Sequence, residues 1–531
     1  MAKTASAVLK KLHSPPKKTY IMNGHLSPLL ALLILIAYFL MLVGVAWRTG
    51  RDVKNAGFFL ADRQVKWYVV AFAMIGTSIS GVTFISIPGK VGAGGLNQSF
   101  SYMQMVMGYS VGYLFVGAVL LPLYYRLQLT SIYSYLEDRL GRISYKTGAA
   151  FFLVARTFGS AARMFLAALV LQEFIFGPLG VPFFITAVLM LALIYVYTFK
   201  GGMKTIIWTD TIMTACLLIA LVWTVVTLAG RLNLGLLDIA PAVARSSYSK
   251  LFFLENFGSD PNHFLKQFIA GALTVIAMTG LDQDLMQKNL ACRNIKEAQK
   301  NMSVFYVVLV FINLLFLTLG ALLYLYASQV GLNLPAKSDS LYPTIAFQHL
   351  DIVAGVVFLL GLVASTYASS DSALTALTTS FCVDFLGFEK NTEHPDEYAS
   401  EKQKAEFAQN LAEKQRKLRN FTHFGFAAVF VLVILMLKAF SDDAVINTIF
   451  KMAGYTYGPL LGLFMFGLFT KLEVRDRFVP YVCVAAPILT WLIVVYAKDW
   501  YQVDLGFLNL LVNGALTFFG LWALSFRLEK V

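Results

Sequence analysis

The stretch Ala73-Met74-Ile75-Gly76-Thr77-Ser78-Ile79-Ser80-Gly81-Val82-Thr83-Phe84-Ile85-Ser86-Ile87-Pro88-Gly89 decides the fold. It sits in an apolar run of membrane-crossing length, yet it holds five hydroxyl side chains and the mid-run glycines Gly76 and Gly81. That is poor lipid-facing helix. Glycine permits unwinding, and unwound backbone is tolerated at membrane depth only where it lines a cavity, its freed carbonyls then becoming cation ligands. Small residues also allow close helix packing, which is the plainer alternative. A second interruption, Gly271 through Thr274 to Thr279-Gly280, falls five spans later. Broken helices in equivalent positions of two halves point to inverted repeats around a midplane binding site.

Composition agrees with a membrane setting. The chain is 58% hydrophobic and 14% charged, against roughly 25% charged residues in a soluble domain, and its mean hydropathy is +0.67. Runs of about 20 apolar residues recur along its length, rich in Leu, Val, Phe, Gly and Ala, without the alternation of an outer-membrane barrel. The reading is an all-α polytopic protein of an inner or plasma membrane, with about thirteen transmembrane helices. They fall near 27–48, 67–89, 98–125, 147–175, 181–199, 205–229, 265–288, 303–327, 351–384, 421–439, 446–469, 478–497 and 505–525. Five lysines precede the first run without a cleavage site, so no signal peptide is expected. Cys216, Cys292, Cys382 and Cys483 stand singly and read as unpaired thiols.

Charge sets the expected orientation. With the amino terminus outside, the loops after odd-numbered spans plus the carboxyl tail carry about 27 Lys and Arg, against about 8 in the external loops. The tail 1–26 opposes this with its lysines, but a consistent series of short loops outweighs it. The net charge of +13 is therefore a topology signal, and no nucleic-acid partner is expected. The external loop 231–264 could be a lid or an ordered connector. The cytoplasmic loop 389–419 is dense in Glu, Lys and Gln and reads as a solvated amphiphilic helix.

Polar groups inside spans need a partner or a role. Ser365, Ser369 and Ser372 share one face of the ninth span, beside Thr366, and hydroxyl and carbonyl oxygens suit a small alkali cation; back-bonding to the helix's own carbonyls is the alternative. Arg156 and Arg163 are seven apart on the fourth span. Arg163 lies nearer the centre and could grip a carboxylate, while Arg156 reads as half of a structural pair, with Asp371 one conceivable partner. Asp210 could pair with a base or bind a cation.

These segments resemble the sodium:solute symporter family, whose core is a five-helix inverted repeat of the LeuT type. The resemblance rests on Ser78-Ile79-Ser80-Gly81 leading to Ile87-Pro88-Gly89, Gly201-Gly202 to Trp208-Thr209-Asp210, Gly280-Leu281-Asp282-Gln283-Asp284, Ser365-Thr366 and Gly454 to Gly467. It implies repeats at 67–229 and 265–469, an extra helix at 27–48 before them, and two helices and a tail at 478–531. By position it implies a first sodium site from the carbonyls of Gly76, Ile79 and Leu362 and the hydroxyls of Ser365 and Thr366. A second site, found in some members, would use Asp210, Ser365, Ser369 and the position of Ala368, where a serine is expected. The expectation is two sodium ions, with water or Ser365 filling the vacant position.

The substrate positions are similar to those of the family's bacterial sialic acid transporters: Ser80 and Thr83, Phe100 and Gln104, and Arg163. An organic anion, sialic acid first, is the implied substrate, imported by a protein that functions as a monomer in the lipid bilayer. Proline, pantothenate, a monocarboxylate or a sugar are alternatives within the class, although the aromatic gate of sugar-transporting members is absent and Met278 stands near its position. A transporter-like sensor is the alternative of another class. An enzyme is not expected: His13, His25, His263, His349, His394 and His423 fall in tails, loops or span ends, and no nucleophile has a base beside it.

Overall fold

The computed structural model describes residues 26–50, 55–199, 201–388, 401–440 and 445–526. The tail 1–26, apart from Leu26, therefore lies outside the described residues, as do 389–400 of the charged loop and the last residues from 527. Within them the chain is helix upon helix. Ser27 caps the first helix, α1 (Pro28–Thr49), by accepting from the Leu30 amide at 3.2 Å. Proline at the first helical position adds a fixed φ where no donor is needed.

The decisive stretch folds as two short helices, α2 (Trp67–Ser78) and α3 (Gly81–Lys90), bent by 58° to one another. Between them Ile79 takes ψ 83° and Ser80 ψ 170°, so the helical ladder stops, and the last carbonyls of α2 lose their partners four residues on. Next come α4 (Tyr102–Arg126), α5 (Arg142–Phe176), α6 (Phe183–Thr198) and α7 (Gly202–Arg231). The second interruption separates α8 (Phe264–Gly280) from α9 (Gln283–Leu290) at 64°. There follow α10 (Ile295–Val330), α11 (Ile352–Phe385), α12 (Glu401–Phe440), α13 (Val445–Phe469), α14 (Val479–Tyr501) and α15 (Asn509–Ala523). A two-residue strand pair, Glu473–Val474 with Ser525–Phe526, ties the two ends of this last region together.

The thirteen expected spans are not all met by length and composition. Among the described residues ten helices are long and apolar enough, the two bent pairs raise the number to 12, and α6, at 16 residues, is too short to pass alone. The first break falls where expected, whereas the second lies at Leu281–Asp282, just past the expected run, in which Gly271 and Thr274 are helical. The charged loop is also helical where described: α12 begins at Glu401 and runs unbroken into the apolar segment.

Packing places the two breaks at the centre. α7 lies along α11, α4 along α8, and α2 and α3 both touch α11. The α4–α8 pair closes on glycine, since a Cβ on Gly108 would stand 2.0 Å from the Phe268 carbonyl oxygen and one on Gly271 2.1 Å from that of Met105. Backbones meet there with no side chain between them. The loop 231–264 is ordered, and its grip falls on the start of α4. Gln104 accepts from the Phe253 amide at 3.0 Å and donates to the Asn262 carbonyl at 2.8 Å, and the Phe100 amide donates to the Lys250 carbonyl at 3.0 Å.

Candidate functional site

A cavity of about 120 Å³ opens beside the first break. Thr77, Ser78, Ile79, Ser80 and Thr83 line it, together with Arg156 and Arg163 from α5 and Thr274, Met278 and Thr279 from α8. Ser80, Thr83 and Arg163 are thus brought together, while Phe100 and Gln104 are not part of the lining and lie against the 231–264 loop. Three tyrosines of α4, Tyr102, Tyr109 and Tyr113, line the cavity, as does Asn313 of α10. Their spacing is helical, seven and four residues, so the stripe was present in the sequence, where it resembles any core face.

The two arginines differ in their surroundings. Arg156 forms an ion pair with Asp284 and reaches Asp282 at 3.6 Å, all three buried. Ser372 donates to Asp284, and Tyr457 to Asp282, so α5, α9, α11 and α13 meet on this one cluster. The expectation of Asp371 as the partner of Arg156 is corrected here. The Asp371 carboxylate accepts from Tyr197 at 2.8 Å and from the Ser372 amide at 2.5 Å, on the other side of α11. The acidic pair that serves Arg156 lies at the second break, where the α9 helix start exposes its amides and Asp282 caps them by accepting from the Asp284 amide at 2.9 Å. Arg163, two turns further along α5, makes no hydrogen bond or ion pair among the described residues, and its guanidinium borders the cavity.

The two breaks also differ. At the second, Tyr124 donates to the Gly280 carbonyl and Tyr133 to that of Leu281, both at 2.9 Å, so the freed backbone is satisfied by hydroxyls. At the first, no described side chain donates to the carbonyls of Gly76, Thr77, Ser78 or Ile79. Open carbonyls in a dry interior want a cation. Facing them on α11, Ser365 and Thr366 both donate to the Leu362 carbonyl, at 2.9 and 2.8 Å, which spends their protons and leaves their lone pairs. The contact is close: a Cβ on Gly81 would lie 2.1 Å from the Thr366 hydroxyl oxygen.

Around the second expected sodium position the arrangement holds a group that span counting overlooked. Asp210 is fully buried and its Oδ2 takes the Lys288 ammonium at 2.5 Å and the Thr77 hydroxyl at 3.1 Å. Of the two roles open to Asp210, pairing with a base is the one seen. Lys288 lies at the end of the seventh expected span, in a polar run, Gln287-Lys288-Asn289, that reads as a membrane boundary; tertiary packing buries it completely. Ala368 lies beside Gly76, whose added Cβ would be 3.5 Å from the alanine methyl, and Ser369 donates to the Thr366 carbonyl at 3.0 Å. His423, expected at a span end, is buried between the hydroxyls of Thr198 and Thr378 at 2.8 and 2.9 Å and joins α6, α11 and α12.

The profile of the sodium:solute symporter family matches residues 58–473, more than three quarters of the chain. The chain is a member of the sodium:solute symporter family. As a member it is a sodium-coupled solute symporter rather than an enzyme, takes sodium as its coupling ion, and is a multi-pass protein of the plasma membrane. Among its relatives are the sodium/sialic acid symporter NanT of Aliivibrio fischeri, 24% identical over 91% of this chain and 92% of that one, and the sodium/sialic acid symporter SiaT of Proteus mirabilis, 23% identical over 90% and 92%. The human sodium/iodide cotransporter is 22% identical over 80% of this chain and 63% of its own. The solved structure of a substrate-bound, outward-open sodium-coupled sialic acid symporter matches with a TM-score of 0.74 at 19% identity, over 94% of this chain and 99% of that one. This symporter therefore has the LeuT-type fold with paired broken helices.

Proposed function

We propose that this symporter imports an organic monoanion, with sialic acid the first candidate, and that Arg163 holds the substrate carboxylate. The observation that carries the reading is the contrast within α5: Arg156 is neutralised by Asp282 and Asp284, whereas Arg163 borders the cavity without a carboxylate of its own. A half-buried guanidinium inside a membrane span is costly unless paired, and its planar fork suits a carboxylate. Ser80 and Thr83 supply hydroxyls to the same cavity. The similarity to two sialic acid symporters supports the candidate.

A smaller and more apolar monocarboxylate is a second reading, favoured by the lining. Tyr102, Tyr109, Tyr113, Val82, Val275 and Leu309 present rings and aliphatic groups to the cavity, and the Gln104 amide is committed to the 231–264 loop. In both readings sodium sits at the first break, on the carbonyls of Gly76, Ile79 and Leu362 and the hydroxyls of Ser365 and Thr366. The amino terminus is outside and the carboxyl terminus in the cytoplasm, by the excess of Lys and Arg in the loops assigned inward, and the monomer is the working unit.

The test is uptake into proteoliposomes under an imposed sodium gradient, offering labelled sialic acid, a short monocarboxylate, proline, pantothenate and glucose in turn. Sodium-dependent accumulation of a carboxylate, lost in Arg163→Ala, is expected. Accumulation of glucose by both native protein and Arg163→Ala would overturn the anionic reading. Sodium placement is tested separately: Ser365→Ala with Thr366→Ala should raise the sodium concentration for half-maximal uptake on the order of tenfold or more, because two of about five ligands to a partly desolvated ion are gone.

A further inference from the structure

We infer that the Lys288 ammonium is a built-in cation that stands in for a second sodium ion on Asp210, so that one sodium ion is bound and moved per transport cycle. The inference deepens the sodium-symport reading at its own site. Asp210, Ser365, Ala368 and Ser369 are the positions at which a second ion is expected. In the structure Asp210 Oδ2 is held by Lys288 Nζ at 2.5 Å, and the same ammonium donates to the Thr77 hydroxyl, with both charged groups fully buried. One charge thus already answers the carboxylate inside the membrane, which removes the reason for a diffusible ion there.

The remaining oxygen, Asp210 Oδ1, is buried without a hydrogen-bond partner, and a second sodium would have to sit on it. Such an ion would share one carboxylate with an ammonium a few ångströms away, in surroundings where water does not screen their repulsion. Ala368 offers no oxygen to offset that repulsion. The neighbouring carboxylate of Asp371 is engaged by the Tyr197 hydroxyl and the Ser372 amide. Two features therefore coincide at one position: an alanine where a ligand hydroxyl would be needed, and a lysine supplied from the helix that follows the second break. The lysine also spans the repeats, since α9 belongs to the second half and Asp210 and Thr77 to the first.

The experiment counts sodium first without any solute. Purified native protein is titrated with radioactive sodium at equilibrium, and one bound ion per chain is expected, lost at the same concentrations in Ser365→Ala with Thr366→Ala. Two bound ions in the native protein would overturn the inference. The combined variant Lys288→Ala with Ala368→Ser restores the oxygen and removes the competing charge, and it should bind two. If that variant does not fold, the native count still decides. With the solute found in the uptake panel, liposomes are then clamped at several potassium-diffusion potentials. Native uptake of a monoanion should be independent of voltage, since one sodium and one negative solute carry no net charge, and uptake accelerated by a negative interior would refute one-ion coupling. Failure to find an anionic solute would sink the substrate proposal alone, because the equilibrium count does not use one.

Discussion

Arg156 and Arg163 are the same residue type on the same helix face, and the structure gives them opposite consequences when lost. Removing Arg156 leaves Asp282 and Asp284 buried without their cation, and breaking a buried pair from one side costs about 3–5 kcal/mol. Arg156→Ala should therefore lower the thermal unfolding temperature of the purified protein and its yield. Arg163→Lys should leave the unfolding temperature and sodium binding unchanged while raising KM on the order of tenfold, because a point charge replaces a fork; equal effects of both substitutions on stability would contradict the assignment. This division was only half legible in the sequence. The seven-residue spacing gave the shared face, and depth in the span favoured Arg163 as the ligand. The partners of Arg156 were hidden because Asp282 and Asp284 belong to the second break, where apolar periodicity fails and a polar run looks like a span end. Lys288 was missed for the same reason, since its burial is created by α2, α7 and α11 closing around it rather than by its own neighbours.

At the scale of the helix, both breaks could be read in advance, the second just short of its place, because glycines and hydroxyls gathered in mid-membrane weaken a helix unless its backbone opens onto a cavity. What the sequence did not contain was the difference between them: Tyr124 and Tyr133, which quiet the second break, arrive from more than 140 residues away in the chain. The first break depends on having no side chain at Gly81. Gly81→Ala would drive a carbon to 2.1 Å from the Thr366 hydroxyl oxygen, closer than atoms approach without displacement. The expected result is a half-saturating sodium concentration raised on the order of tenfold, with the protein still monodisperse. Gly44→Ala, where an added carbon meets nothing within 4 Å, serves as the control and should behave as native. Unchanged sodium dependence in Gly81→Ala would remove Thr366 from the ion site.

For the molecule as a whole, the loop 231–264 is fastened to the start of α4 through Gln104, and a prediction follows that separates this role from ligand binding. Gln104→Ala takes away the acceptor of the Phe253 amide, and a lost hydrogen bond of ~1 kcal/mol should speed hydrogen exchange at Phe253 about fivefold. If Gln104 held substrate instead, KM would rise and exchange would not. The α12 helix has a different reach. It is continuous over 40 residues, about 60 Å at 1.5 Å per residue, twice the roughly 30 Å of hydrocarbon it has to cross. The charged part from 401 to 419 accounts for about 28 Å of that length, continuous with the segment that holds His423 against α6 and α11. This makes it a lever arm: a tilt of about 10° in the membrane, too small to see at the binding site, would swing its tip by roughly 5 Å. A dye placed near residue 404 and a second on the 470–477 turn would report each transport cycle as a change in energy transfer, giving a readout of the hidden rearrangement from outside the membrane.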